Sequence, residues 1–125
     1  MKREDARQAA RWLSYARIGL GVAAIVAPTL PARPWIGDDA DRPSVKLMAR
    51  ALGARDLALG IGAVLAMNHD APVRGWIEGG GFADAGDFVA TMLHFRSLPK
   101  VTRWGLLAIT SGAAVTARYL APAVD

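Results

Sequence analysis

Four long stretches of the chain read as helices, and three of them contain runs that are apolar on every side. Gly19-Leu-Gly-Val-Ala-Ala-Ile-Val-Ala27, Gly60-Ile-Gly-Ala-Val-Leu-Ala-Met67 and Gly105-Leu-Leu-Ala-Ile-Thr-Ser-Gly-Ala-Ala-Val115 lack the charged stripe that a water-facing helix keeps at 3.6-residue spacing. The pattern predicts helices over about residues 7–27, 44–67, 71–95 and 99–120, each roughly 20 residues or ~30 Å long. Pro28 stops the first, and Pro122 follows the last. Asp41-Arg42-Pro43-Ser44, Asp70-Ala71-Pro72 and Ser97-Leu98-Pro99 each set a capping side chain before a proline that a first turn tolerates. No alternating strand pattern competes. Pro28, Pro31 and Pro34 recur every third residue, which suits an extended, polyproline-like path through residues 28–43. The expected fold is therefore all-α. It is an antiparallel four-helix transmembrane bundle in one domain, with short loops and one Pro-rich loop between the first two helices.

Composition enters because it leaves membrane or water undecided. Of the 125 residues 53 % are hydrophobic and 21 % charged, and the mean hydropathy of +0.23 lies between the two classes. The longest uncharged runs, residues 18–32, 57–69 and 104–117, fall short of the 18 or so residues of a clean span. The missing polar stripe tips the balance. Four such helices in a chain this short leave no outer layer to cover them, so the expectation is a multi-pass protein of the lipid bilayer. Trp12, Trp35, Trp76 and Trp104 fall near helix ends, where interfacial tryptophans sit.

The charge pattern agrees. The net charge is +4, but the basic residues flank the apolar segments and do not gather with aromatics as nucleic-acid binding requires. Lys2, Arg3, Arg7, Arg11, Arg74 and Arg118 fall on the side of the termini, and Arg33, Arg42, Lys46, Arg96, Lys100 and Arg103 on the other. That tie gives no orientation. The mixed-sign start, Met1-Lys-Arg-Glu-Asp-Ala-Arg7, leads into a retained helix and not a signal peptide. The absence of cysteine excludes disulfides and thiol chemistry.

The charges inside the apolar segments carry the chemistry. Residues 11–22 align without gaps on residues 50–61, pairing Arg11 with Arg50, Leu13 with Leu52, Leu20 with Leu59 and Gly21 with Gly60. Arg17 then falls opposite Asp56. Ala10, Ser14, Arg17, Gly21 and Ala24 share one helical face, and Ala49, Gly53, Asp56, Gly60 and Ala63 share another. Both are seams of small residues that let backbones approach, and such Gly/Ala seams also suit a homo-oligomer. Asp84, Asp87, Thr91 and His94 share a face of the third segment, behind Gly79-Gly80-Gly81. In a bilayer Arg17, Arg55, Asp56, Asp84 and Asp87 all fall near mid-depth, where a charge costs about 2.5–3.5 kcal/mol unless paired or wetted. Three acids against two bases leave one acid over. That acid suits general acid/base work on a lipophilic small molecule, such as isomerisation, cyclisation or epoxide opening, or proton coupling in a carrier.

Alternatives to these candidates weigh little. His94 reads as a polar helix end and His69 as part of a capping turn. Asp38, Asp39 and Asp41 read as a solvated turn, since no calcium-loop spacing follows. No metal, cofactor or phosphate-loop pattern is present, and the Glu-x-x-His spacing of di-iron bundles is missing.

The pattern Arg50-x-x-Gly53-x-Arg55-Asp56-Leu-x-Leu-Gly60, followed by Asp84-x-x-Asp87, resembles a family of small four-helix integral membrane proteins common in actinobacteria. That family is a domain of unknown function and is DoxX-like in size and helix count. The resemblance covers about residues 7–120. It implies the fold, a bacterial inner membrane as the location, and attention to Arg55, Asp56, Asp84 and Asp87, but no activity. Three classes stay open: a membrane-embedded acid/base enzyme, a proton-coupled carrier or channel subunit, and a non-catalytic structural or partner-binding protein.

Overall fold

The computed structural model describes residues 1–100 and 102–125, which form helices and turns with no strand among them. Four long helices dominate: α1 (Arg3–Val26), α3 (Pro43–Asn68), α4 (Arg74–Leu93) and α5 (Arg103–Leu120). A short helix, α2 (Thr29–Ile36), and a 3-10 turn (Gly37–Asp41) fill the α1–α3 connection. The expected all-α class holds, with five helices in place of four. The extended Pro-rich loop does not form. Thr29, Leu30 and Pro31 make the first turn of α2, where a proline gives up no hydrogen bond, so only Pro34 is interior. α2 turns sharply off α1, and the two segments lie at 96°.

Helix boundaries shift for local reasons. α1 starts four residues early, with Glu4 and Asp5 in its first turn favoured by the helix dipole. α4 starts three residues late, because Asp70 takes a positive φ of 51° and Pro72 keeps the approach irregular. α5 starts after the Pro99–Thr102 turn; residue 101, inside the span expected for that helix, lies outside the described residues. None of the three expected caps forms, since no N-cap side chain bonds its own helix. The N-terminus of α4 is capped from the opposite end of the chain. Asp125 accepts from the backbone N–H of Val73 (2.8 Å) and of Arg74 (2.9 Å). Burial works against the charge on Asp125, but those two N–H groups, with Arg7 and Arg3 nearby, hold its carboxyl below the usual range.

α1 packs antiparallel along α3, and α4 antiparallel along α5. At the end that carries both termini, Ala6, Met67, Val73, Ile77, Leu120 and Val124 form a tight apolar plug. Arg7 bonds the carbonyls of Val124 and Met67 there. Elsewhere the buried residues are mostly small, Ser14, Gly21, Ala24, Gly53 and Gly60 among them, with Leu107 the largest apolar one. Large apolar groups point outward instead: Val26, Phe82, Leu93, Ile109 and Tyr119 are each more than two-thirds exposed. Among the described residues α3 alone has the length and hydropathy of a membrane span, or α1 with α2 as well if the bent pair is taken as one.

Candidate functional site

The repeat seen in the sequence is the seam of the α1–α3 pair. Ala10, Ser14, Gly21 and Ala24 are buried on α1, and Gly53, Asp56, Gly60 and Ala63 on α3. Backbones nearly touch at two points. A Cβ on Gly21 would stand 2.6 Å from the Gly53 carbonyl oxygen, and one on Gly60 would stand 2.7 Å from that of Ser14. These contacts are mates under the 39-residue offset of the repeat, since 21 plus 39 is 60 and 14 plus 39 is 53. The pair therefore crosses with a local two-fold symmetry, and Arg17 faces Asp56 at its centre. Toward the ends, Arg50 donates to the Ile25 carbonyl and Arg11 to the Asn68 side chain, in roughly equivalent positions.

α4 closes on this seam through Gly79-Gly80-Gly81. Each glycine meets a different neighbour. A Cβ on Gly79 would contact Leu59 of α3 at 3.4 Å, one on Gly80 the Arg17 guanidinium at 3.0 Å, and one on Gly81 the Ala117 Cβ of α5 at 2.8 Å. The three glycines let three helices converge on α4, and they line up Asp84 and Asp87, one and two turns on, with the arginines.

All five charged candidates meet in one chain of ion pairs. Arg17 donates from Nη1 to Asp56 (2.9 Å) and from Nη2 to Asp84 and to the Gly80 carbonyl (2.9 Å). Arg55 holds Asp87 with both terminal nitrogens, at 3.0 and 2.8 Å, and reaches Asp56 at 3.3 Å. The order is Asp84–Arg17–Asp56–Arg55–Asp87, alternating in sign, with Asp56 Oδ1 shared by both guanidiniums. Burial is deepest at Arg17, Asp56 and Asp84, whose side chains are 9–12 % exposed, while Arg55 is 30 % exposed. The Arg55 Nε is buried and has no partner among the described residues. Thr91 sits on the same face, but its hydroxyl bonds the Asp87 carbonyl one turn back.

The structure separates His94 from this cluster. It ends α4, is exposed, and turns Nδ1 to the Ala90 carbonyl. His69 makes the same turn on Leu65. Asp39 and Asp41 are engaged by Arg42 (3.1 Å) and Arg33 (2.8 Å). Among the described residues no group of histidines, cysteines and carboxylates could hold a metal. Two surface clefts lie at the end of the bundle remote from the termini. One, of about 370 Å³, is under the α4–α5 turn. The other, of about 460 Å³, is beside α2. Neither is lined by a residue of the cluster.

Sequence reasoning missed two features. The Asp125 cap pairs residues some fifty positions apart with no motif between them, and the link from Arg17 to Gly80 uses a backbone carbonyl that no side-chain pattern announces. The chain matches no protein-family model, and no curated protein or solved structure matches it.

Proposed function

We propose that this chain is a membrane-embedded helical scaffold, a non-catalytic structural or partner-binding protein whose Arg/Asp chain is a clasp joining the α1–α3 pair to α4. The single observation that carries the reading is that all five interior charges are engaged with one another. A catalytic or transporting carboxylate needs an approach for its substrate, and neither of the clefts described above is lined by a residue of the cluster. Polarity is also inverted relative to a water-soluble bundle. Between its two ends the bundle buries Ser14, Asp56, Asp84, Thr91 and Thr110, while Phe82, Val89, Ile109 and Val115 face outward. In hydrocarbon, mid-depth charges must pair, and close packing of small residues replaces the hydrophobic effect as the source of helix association. α2, lying across the direction of α1, suits a short segment in the headgroup region.

One observation favours a second reading. Three carboxylates share two guanidiniums, so the cluster carries one excess negative charge, which suits a proton-coupled carrier or channel subunit.

The test has two parts. Membranes from cells expressing the chain are washed with alkaline carbonate, and retention in the pellet is expected; release as soluble protein overturns the membrane reading. Asp84→Asn and Asp87→Asn are then reconstituted in liposomes loaded with a pH dye. The scaffold reading expects no proton leak in wild type or variants. A leak in wild type that both variants abolish supports the carrier instead.

A further inference from the structure

We infer that the α4–α5 turn is a binding site for an anionic phospholipid, its phosphate held by Arg96, Lys100 and Arg103 and an acyl chain lying in the cleft beneath. The inference rests on the membrane reading above and adds a ligand to it.

Charge comes first. From residue 88 to residue 124 the chain contains no acidic residue, yet it places three cations within eight positions of the turn. None of the three forms an ion pair among the described residues, in contrast to the arginines of the cluster and of the α2 region. The 3-10 turn after α2 is the acidic neighbour, since a Cβ on Gly37 would lie 3.3 Å from Pro99. Its carboxylates are largely taken: Asp41 by Arg33 and Asp39 by Arg42. That leaves Asp38 alone against three cations.

Geometry adds an apolar compartment to the charge. The cleft of about 370 Å³ is lined by Met92, Leu93, Phe95, Trp104 and Leu107, with Arg96 at the same site. Arg103 is held in place: its guanidinium carbon stands 4.4 Å from the Phe95 ring centre, and its Nη1 donates to the Phe95 carbonyl. Phe95 in turn packs edge-on against Trp104, with ring centres 4.9 Å apart. A cation seated on an aromatic ring stays charged; with Nε buried and Nη1 on the Phe95 carbonyl, Nη2 is the donor that Arg103 has left for a ligand. Leu93 and Trp104 are more than three-fifths exposed beside these cations. An inorganic anion uses the cations only, and a neutral lipid uses the cleft only. A phospholipid with net negative charge uses both, and tryptophan beside arginine at a helix end is the usual place of a headgroup.

The experiment uses the full chain in neutral maltoside micelles, with thermal unfolding followed by tryptophan fluorescence. Dioleoyl phosphatidylglycerol, dioleoyl phosphatidylcholine and inorganic phosphate are titrated separately. Phosphatidylglycerol is expected to raise the midpoint at far lower concentration than either of the others. Each juxtamembrane cation is worth about fivefold in affinity, so Arg96→Gln with Lys100→Gln weakens phosphatidylglycerol about 25-fold. Both side chains are exposed and make no hydrogen bond among the described residues, so the double variant keeps its fold. Lys2→Gln with Arg118→Gln, matched in charge at the opposite end, keeps wild-type affinity. Equal response to phosphatidylcholine, full effect from inorganic phosphate, or equal loss in the two double variants each overturns the site. Release of the chain by carbonate overturns the membrane reading and the site together, whereas retention with no lipid selectivity overturns the site alone.

Discussion

Replacing Arg17 by methionine is the sharpest probe of the clasp. The change keeps most of the side-chain volume and removes three interactions at once, to Asp56, Asp84 and the Gly80 carbonyl. Arg17 is 11 % exposed and its two carboxylate partners 9 and 12 %, so solvent screens little of the loss. Removing one member of a buried ion pair strands the other and costs about 3–5 kcal/mol. Here Asp56 retains Arg55, but Asp84 retains no cation, so about 4 kcal/mol is expected. Asp84→Asn alone keeps an acceptor for the Arg17 donor and costs about 1 kcal/mol. The double variant no longer strands a charge at position 84. It is therefore less destabilised than the sum of the singles by about 1–3 kcal/mol, the range for residues in one network. The assay is reversible unfolding of the solubilised chain with increasing dodecyl sulfate, followed by tryptophan fluorescence. A cost below about 1 kcal/mol for Arg17→Met refutes the reasoning, because the charges are then wetted or mobile. Additivity within about 0.5 kcal/mol refutes the Arg17–Asp84 link itself.

Three further outcomes follow from the same geometry. Gly53→Val puts a Cβ 2.7 Å from the Ala24 Cβ and 2.8 Å from the Gly21 carbonyl oxygen; it should cost at least about 1–3 kcal/mol in the same unfolding assay, as overpacked cores do. Gly19→Ala meets open space within the helix, and should leave stability unchanged or raise it by up to about 1 kcal/mol. Asp125→Asn weakens the cap on α4, and because the site is exposed the loss sits near the lower end of capping values, about 0.5–1 kcal/mol. The folded carboxyl lies below its ordinary value, so its contribution is complete above about pH 4 and is lost as pH falls through the folded value. Unfolding measured from pH 7 to pH 3 should show a constant gap between wild type and Asp125→Asn that begins to narrow below about pH 4.

What the sequence made legible was whatever follows from spacing along one helix. The seam of α1 and the seam of α3 came from i, i+3, i+4 and i+7 positions, and their near-perfect burial follows because only small residues allow backbones so close. The Arg17–Asp56 pair came with them, since aligned seams bring aligned residues together. The linker was misread because prolines at every third position fit a polyproline path and a helical first turn equally well, and only contact with α1 and α3 decides between them. The expected caps failed for a different reason. A local Asp or Ser signals a cap only when nothing else competes, and at α4 the carboxylate of Asp125 arrives through tertiary packing, which no local pattern encodes. The membrane expectation rested on helices apolar all round. The outward Leu, Ile and Phe side chains agree with it, yet among the described residues only α3 has the hydropathy of a span by itself; Arg11 and Arg17 in α1, Arg74, Glu78, Asp84 and Asp87 in α4, and Arg103 and Arg118 in α5 lower the averages of the others.

The local two-fold symmetry explains why the clasp has the charges it has. Away from the axis, a residue of α1 meets a residue of α3 that is not its own equivalent, so the repeat can keep like residues: Gly21 meets Gly53, and Ser14 meets Gly60. On the axis a residue must meet its own counterpart. Two arginines there repel, and two aspartates repel, at a site where both side chains are largely buried. The repeat therefore has to break its identity at this one pair, and Arg17 against Asp56 is that break. A dimer of two identical helices cannot make it, whereas two unequal copies within one chain can. Once the symmetry is broken, α1 and α3 each present an arginine to α4, from non-equivalent positions of the repeat: Arg17 takes Asp84 and Arg55 takes Asp87. Exchanging the axial pair, as Arg17→Asp with Asp56→Arg, tests this directly. The exchange preserves net charge and the axial contact but sets an aspartate against Asp84 and an arginine beside Arg55. If the symmetry argument holds, unfolding of the exchanged chain resembles that of Arg17→Met in cost, and adding Asp84→Asn recovers part of the loss. Wild-type stability in the exchanged chain would show that the axial pair stands alone and that α4 is held by the glycine contacts and not by charge.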